Sequence, residues 1–434
     1  MLLRQLEPRS ARTTAEVIKF ALWPIAVMTV LNRVFIKAVN GFITDDFRPV
    51  YQASLDFLNG RPVYTANFDS VDPHYLYYPS GTLLIAPVAW IHDYEKARWL
   101  FILLNAVAII VAWYLLLRLF RFTLSSVVAP VLLFAMFMSE TVTNTLVFTN
   151  VNGCVLLAEM LFLHLLLQRK DLWAGVALGL SIAIKPTLAP LLLVALVRGQ
   201  WKVFITALGV PVVLTAIAWP LSKDPEKFFS HTAPYLFETR DYFNSAISGN
   251  GEYYGLPPWL IWFMRLGMGV LVAVSLWLLW RYYRHDELFF VCTASGVLLT
   301  AEFLLSSLGQ MYYSMMLFPF LMTVVLRNSV LRNWPAWLAI FGFMSYDKWL
   351  SERPGWQHFG RDLEYLRITF GWGLLLVVVF CVLGDRYLAA KREGRLQFGI
   401  DPTWIKPVPG DVAADSSRSA EGSAPIVAKP ISVE

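Results

Sequence analysis

GFITDDFRPVYQASLDFLNGRPVYTANFDSVDPHYLYYP, residues 41–79, is a long polar interruption in a chain that is otherwise mostly apolar. Two adjacent aspartates, Asp45 and Asp46, follow Thr44 just beyond the first hydrophobic run. Val50, Ala53 and Phe57, with Leu58 beside them, recur at helical spacing, and Asn59-Gly60 is a natural stop for such a helix. An aromatic run, Tyr75 to Tyr78, leads into the next apolar segment. Carboxylates at the mouth of a hydrophobic span, beside an amphipathic helix, point to chemistry at a bilayer surface.

Composition sets the same class. More than half of the 434 residues are apolar (57%), which argues against a soluble globular domain. The 17 Trp and 18 Tyr suit interfacial aromatic belts. The three cysteines, Cys154, Cys292 and Cys381, sit in apolar runs without metal-ligand spacing and read as small buried hydrophobes. Membrane topology accounts for the net charge of +5, so no nucleic-acid partner is implied. Arg4, Arg9 and Arg12 precede an apolar stretch from about Val17 to Ile36, which reads as a retained signal-anchor with a cytoplasmic start.

Outward from the quoted loop, Gly81 to Ile91 is too short to span and reads as re-entrant or interfacial. Ala97–Leu119, Leu124–Met138, Cys154–Gln168, Val203–Leu221, Trp259–Trp280, Leu288–Leu308, Met311–Leu326, Trp334–Leu350 and Ile368–Leu388 are further apolar runs. Trp173–Ile184 and Leu188–Val197 are two half-length runs joined by Lys185-Pro186-Thr187, where proline breaks the helix. The expectation is an all-α polytopic membrane protein with about twelve spans. Residues 1–16 form the cytoplasmic start, 17–388 the membrane domain with outer loops at 38–80 and 222–258, and 389–434 a polar cytoplasmic tail. Basic connectors (Arg118 and Arg121, Arg169-Lys170, Arg198 and Lys202, Arg281 and Arg284, Arg327 and Arg332, Arg386 to Arg395) then share one side, which is cytoplasmic. Both long loops, the passage SETVTNTLVFTNVNG (Ser139–Gly153), the Lys185 break and the junction Gly309 to Tyr313 converge on the other.

Each polar residue there has a plain reading beside a chemical one. Asp45 and Asp46 can simply cap a helix start; at a membrane mouth, a carboxylate can also serve as general base for an acceptor hydroxyl. Lys185 can snorkel, yet an ionisable residue inside apolar sequence beside a proline break suits an anion such as phosphate. Arg240, Asp241 and Asn244 are loop polar residues or a second cationic group, and His74 is a turn residue unless it faces Asp46. Gln310, Tyr312 and Tyr313 are interfacial or sugar-binding. Glu140, Glu159 and Glu302 are expected to pair inside the bundle. The adjacent aspartates are not the spaced pair that holds a metal and nucleotide diphosphate, so no metal is inferred. No phosphate-binding loop, dinucleotide fingerprint, zinc-protease helix or nucleophile elbow occurs in a supporting context, so a donor dissolved in the membrane fits better than a soluble nucleotide.

Asp46-Phe47, Val50-Tyr51, Ala53, Leu58, Gly60, Val63-Tyr64 and Tyr77-Tyr78-Pro79 resemble the opening loop of the polyprenyl-phosphate-dependent GT-C glycosyltransferases of actinobacteria. The likeness runs to about Trp404 and includes TVTNTLVFTNVNG, the Lys185-Pro186 break, RDYFNSAISGNG and GQMYYSMMLFPFLMTVVL, passages that look like the branch-forming arabinofuranosyltransferases. The resemblance implies a GT-C fold with its site on the periplasmic side of the plasma membrane. It implies inverting transfer of arabinofuranose from decaprenyl-phosphoryl-arabinose to the 3-hydroxyl of arabinan, in arabinogalactan and lipoarabinomannan assembly, without a cofactor. The family's catalytic aspartate falls on Asp46, with Asp45 adjacent. Lys185, with Arg240 or His74, would meet the lipid phosphate, and Tyr51, Asn150, Asn152, Asn244, Asn250, Gln310, Tyr312 and Tyr313 would meet substrate. Related mannosyltransferases carry histidines where Gln310 to Tyr313 stand, which speaks against mannose. A polyprenyl-phosphate-mannose-dependent enzyme and a lipid-linked sugar transporter are the alternatives, but no internal repeat marks a transporter.

Overall fold

The structure is a computed structural model that describes residues 14–41, 46–345, 349, 351, 353–394 and 396. Asp45, Arg4, Arg9, Arg12 and the tail beyond residue 396 lie outside the described residues. Among those described, the chain is helical without strands, and one isolated bridge joins Pro62 to Lys223.

Among the described residues, six helices are long and apolar enough to cross a membrane. They are α1 (Thr14–Leu31, continued by a π-helical turn to Ala38), α4 (Tyr94–Leu119), α10 (Trp201–Ala218, running on to Leu221), α13 (Pro258–Tyr283), α14 (Glu287–Leu305) and α17 (Gln357–Arg392). A seventh crossing is available if α5 (Val128–Met138) and α6 (Glu140–Val147), bent by 57° at Ser139, count as one. The remaining apolar segments are short. α7 (Asn152–Leu167), α8 (Asp171–Ile184), the segment Pro186–Val197 ending in α9 (Leu192–Val197), the segment Met311–Val325 containing α15 (Phe318–Met322), and α16 (Trp334–Met344) have 10–17 residues each. At 1.5 Å per α-helical and about 2.0 Å per 3₁₀ residue they reach about 17–28 Å, against the roughly 30 Å hydrocarbon core. Beside these six or seven full-length helices, α7, α8 and the segment ending in α9 each run between the end that holds Arg169 and Arg198 and the end that holds Asn152 and Lys185, within the expected all-α polytopic fold.

Local chemistry places the ends. Asp93 accepts the Lys96 N–H at 3.1 Å to start α4, and Asp286 accepts Phe289 N–H at 3.3 Å to start α14. α2 (Phe47–Leu58) buries Phe47, Val50, Tyr51, Ala53, Ser54 and Phe57 on one face and stops at Gly60, whose φ of +64° suits a residue without Cβ. Gly81 to Ile91 folds as α3 (Pro79–Ile85) and a 3₁₀ turn. α17 runs to Arg392, past the expected span end at Leu388.

α7 packs between α4 and α8, and α8 lies against α10. Gly175 and Gly179 bring those last two together: a Cβ on either would stand within 2.6–2.7 Å of Thr206 or Val210. Small residues four apart let backbones approach where lipid gives no hydrophobic push between helices. α14 is enclosed, with 83% of its apolar window buried, whereas α13 and α10 bury only 11% and 17% and face lipid. At the start of α14, Glu287 meets Arg198 at 3.2 Å and Arg169 at 3.5 Å, and Asp286 accepts Asn328 Nδ2 at 2.9 Å. Arg386 donates to the Asn328 and Ser329 carbonyls. These basic connectors gather at one end of the bundle.

At the other end the two outer loops close over the helices. The second loop is partly helical, with a π-turn at Phe228–Thr232, α11 (Ala233–Phe237) and α12 (Ile247–Tyr253). Phe68 of the first loop stacks on Tyr235 of the second, centroids 4.1 Å apart, and Phe228 lies against Tyr64 and Tyr78. His231 Nε2 hydrogen-bonds the Ala66 carbonyl at 2.8 Å.

Candidate active site

Antiparallel packing of α7 on α8 puts the first residue of α7, Asn152, beside Lys185, the residue after α8. Lys185 is extended (φ −146°, ψ 119°), as a residue before proline prefers, so its side chain leaves the helix axis. Its Nζ donates to Asn152 Oδ1 at 3.2 Å and stands 4.2 Å from the Tyr313 ring centroid and 5.4 Å from that of Tyr312. Asn152 is 1% exposed, and its Nδ2 is buried without a hydrogen-bond partner.

Asp46 precedes α2 but does not spend its carboxylate on capping it. Its backbone N–H donates to Phe148 O at 2.9 Å, and Asn150 Nδ2 approaches Oδ2 at 3.5 Å. Asn150 Oδ1 in turn accepts the Asn152 N–H at 3.1 Å, so one short run presents both asparagines. Asp46 lies within electrostatic reach of Lys185, Tyr77, Tyr312 and Tyr313. Arg240 is within electrostatic reach of Lys185, Tyr312 and Tyr313, and its guanidinium lies over the Tyr235 and Tyr242 rings at 5.4 and 5.9 Å. Burial first, with the Asp46 carboxylate second, pushes the Tyr77 phenol up, which keeps it a neutral hydrogen-bonding group.

Thus Asp46, Asn150, Asn152, Lys185, Tyr312 and Tyr313 come together, with Arg240 at their edge. Gln310 precedes the Met311–Leu317 turn, where its carbonyl accepts Tyr313 N–H at 3.0 Å. Other sequence candidates sit elsewhere. Tyr51 is buried and gives its hydroxyl to the Ile91 carbonyl at 2.8 Å. Asn244 spends its amide on four backbone groups: Nδ2 donates to Arg240 O and Ser307 O, and Oδ1 accepts Ala246 N–H and Gly309 N–H. Asn250 donates to Tyr365 O and Thr369 Oγ1, which ties α12 to α17. His74 hydrogen-bonds Ser70 O and packs on Phe68 and Tyr235.

The expectation of paired glutamates needs correction. Glu140 pairs with Arg367, but both carboxylate oxygens of Glu159 are buried without partners. Glu302, on the last turn of α14, lies within electrostatic reach of Lys185, and its Oε2 is buried without a partner. It belongs to the site's surroundings, as does Tyr77. The rule that singled out Lys185, an ionisable residue in an apolar run, applies equally to Glu302. Among the described residues no group of three or more His, Cys, Asp or Glu is placed to hold a metal.

A cleft of about 510 Å³ opens beside the break. Tyr78, Ile182, Pro186, Val212, Ala216 and Trp219 line it, so one wall is continuous with the residues flanking Lys185 and Tyr77.

A helical membrane bundle with a carboxylate, cations and aromatic rings gathered at one end, beside an apolar cleft, has the parts of a membrane transferase. Residues 75–307 match glycosyltransferase family 87, and the chain belongs to that family of membrane glycosyltransferases. It is 56% identical over 409 residues to an "Alpha-(1->3)-arabinofuranosyltransferase" of Mycolicibacterium smegmatis, covering 93% of this chain and 94% of the relative. A Mycobacterium tuberculosis protein of the same name is 55% identical over 411 residues, 94% of each chain. One from Corynebacterium glutamicum is 43% identical over 388 residues, 88% of this chain and 91% of the relative. The stretch matched to the family contains Lys185, Arg240 and Glu302 and begins after Asp46.

Proposed function

We propose that this family 87 enzyme is an inverting arabinofuranosyltransferase of the plasma membrane. It moves arabinofuranose from decaprenyl-phosphoryl-arabinose to the 3-hydroxyl of an arabinan residue, making α-(1→3) branches in arabinogalactan and lipoarabinomannan. The relatives' shared name supports the sugar and the linkage. The observation that carries the lipid donor is the seat of Lys185. A cation and an unpartnered buried N–H, that of Asn152, stand beside an apolar cleft between helices. A phosphate on a prenyl chain needs that pairing of donors and apolar wall.

Asp46 takes the proton of the acceptor hydroxyl as its oxygen bonds to the anomeric carbon. The bond from that carbon to the phosphate oxygen breaks, and its electron pair leaves with the phosphate. Lys185 and Arg240 face the charge that develops there. His74, bound to Ser70 O and packed on the Tyr235 ring that Arg240 also meets, supports that ring and does not meet the phosphate. Asn150, Gln310, Tyr312 and Tyr313 meet the sugars. With the basic connectors cytoplasmic, the site faces the periplasm, where the polysaccharide arrives.

Synthetic prenyl-phosphate-arabinose and a short arabinan acceptor, followed by linkage analysis, test this reading. An α-(1→3)-linked product is expected. Transfer of mannose from prenyl-phosphate-mannose, or movement of the lipid-linked sugar across the bilayer without transfer, would overturn it.

A further inference from the structure

α6 has eight residues and begins at a 57° bend, so its own ladder cannot hold it in place. Yet both halves of the candidate site lean on it. Near its start, Thr141 Oγ1 donates to the Tyr312 carbonyl at 2.8 Å, and Asn144 and Thr145 reach the sulfurs of Met311 and Met315. Just past its end, Phe148 O takes the Asp46 N–H and Asn150 approaches the Asp46 carboxylate. The tyrosines flanking Lys185 and the aspartate thus share one short support.

A buried ion pair fixes that support. Glu140, its first residue, pairs with Arg367 of α17, and each is 8% exposed. Arg367 also donates to Glu364 and to the Gly342 and Ser345 carbonyls, so its guanidinium is held from α16 and α17 while it holds α6. The bend leaves helix ends needing partners, and the chain supplies them: Ser139 Oγ accepts Val142 N–H, and Arg33 donates to Phe137 O. Those contacts satisfy the backbone; the ion pair sets where α6 stands relative to α17.

We infer that Glu140 and Arg367 are positioning residues for transfer, which act through α6 on Asp46 and Tyr312; this rests on the site reading proposed above. Neither touches substrate. Misplacing reacting groups by about 1 Å costs roughly a hundredfold, so a partial slackening of the seat costs about tenfold in kcat.

The test uses full-length enzyme in detergent with prenyl-phosphate-arabinose and a short arabinan acceptor. It compares Glu140→Gln, Thr141→Val and the double variant for kcat, donor KM and melting temperature. Each single change lowers kcat about tenfold with donor KM held within about twofold, and the double is no slower than the slower single, because both cut one chain of contacts. Arg386→Gln, at the opposite end of the bundle, loses as much melting temperature and keeps kcat. Wild-type turnover in Glu140→Gln, multiplication of the two losses, or a kcat that tracks melting temperature at both ends would each overturn the inference. Should Glu140→Gln not fold, Arg367→Lys, which keeps the charge but loses the guanidinium fork, enters the same cycle with the same readings. A wild type that transfers a different prenyl-phosphate sugar breaks the proposed substrate instead, and the cycle is then read on that sugar.

Discussion

The two ends of α14 carry similar residues and use them in opposite ways. At its start Glu287 is matched to Arg198 and Arg169, Asp286 to Asn328, and Gln200 donates to Asp171 at 2.7 Å. At its finish Glu302 keeps one oxygen buried and unpartnered, and Asn152 keeps an N–H the same way beside Lys185. Buried polar groups normally find partners, and leaving one without costs about 1–3 kcal/mol. Unpartnered buried atoms also occur elsewhere, at Glu159, His164, Thr293 and Ser295, so what sets the finish of α14 apart is that Glu302 and the Asn152 N–H are left open around a cation, Lys185, whereas the charges at its start are closed by ion pairs. The open end therefore marks the site, and the closed end marks topology.

That contrast breaks most sharply at Asp46. Asp46→Asn keeps the shape and removes the basicity, and should abolish transfer while the protein stays folded in the membrane; general-base loss alone costs about 10²–10⁴-fold. Near-normal turnover in Asp46→Asn with loss in Asp45→Asn would move the base by one residue. Activity in both would place the site elsewhere and dissolve the distinction between the ends.

Lys185→Ala comes next. Loss of a preorganised charge on a developing anion typically costs roughly 3 to 4 kcal/mol, or two to three orders of magnitude, and it should appear in donor use. Titrating donor and acceptor separately checks this, and a defect confined to acceptor affinity would contradict it. The closed end supplies the counterpart. Glu287→Gln cuts two ion pairs whose glutamate is 47% exposed, so stability should change by about 0–1 kcal/mol and kcat should not change. A large fall in kcat from that distant lesion would show that the two ends are not separate.

Much of the open end was legible because single residues forced it. Pro186 cannot continue a helix, so Lys185 stands at a break whatever surrounds it. Apolar positions at helical spacing marked α2, and its stop at Asn59-Gly60 is where the chain turns. Other features hid for physical reasons. The passage ETVTNTLV read as a polar connector because Thr and Asn disfavour isolated helices, yet it forms α6, with Thr143 Oγ1 donating back to Ser139 O at 2.9 Å. Asn244 and Asn152 carry the same amide, and only the fold decides that one is saturated by backbone and the other left open. Gly175 and Gly179, four apart in an apolar run, carry the close-packing signal in the sequence itself.

The smallest expected effect is that of a chelator, which should leave the activity of purified enzyme unchanged. A metal in sugar transfer commonly neutralises a nucleotide diphosphate, whereas a lipid monophosphate leaves with less charge to offset. Lys185 and Arg240, both within electrostatic reach of one another, offer that compensation from the protein itself. The neighbouring carboxylates suit this division of labour poorly as metal ligands. Asp46 is approached by Asn150, and Glu302 stands across Lys185, whose ammonium would have to share the space with a second cation. Two like unit charges 4 Å apart repel by about 4 kcal/mol at an effective dielectric near 20. EDTA-treated enzyme, assayed with prenyl-phosphate-arabinose and checked for folding by its melting curve, should match untreated enzyme. Complete loss, restored by Mg²⁺ or Mn²⁺ without any change in folding, would make one of the aspartates a ligand instead of the base, and the open end would then be a metal site awaiting its ion.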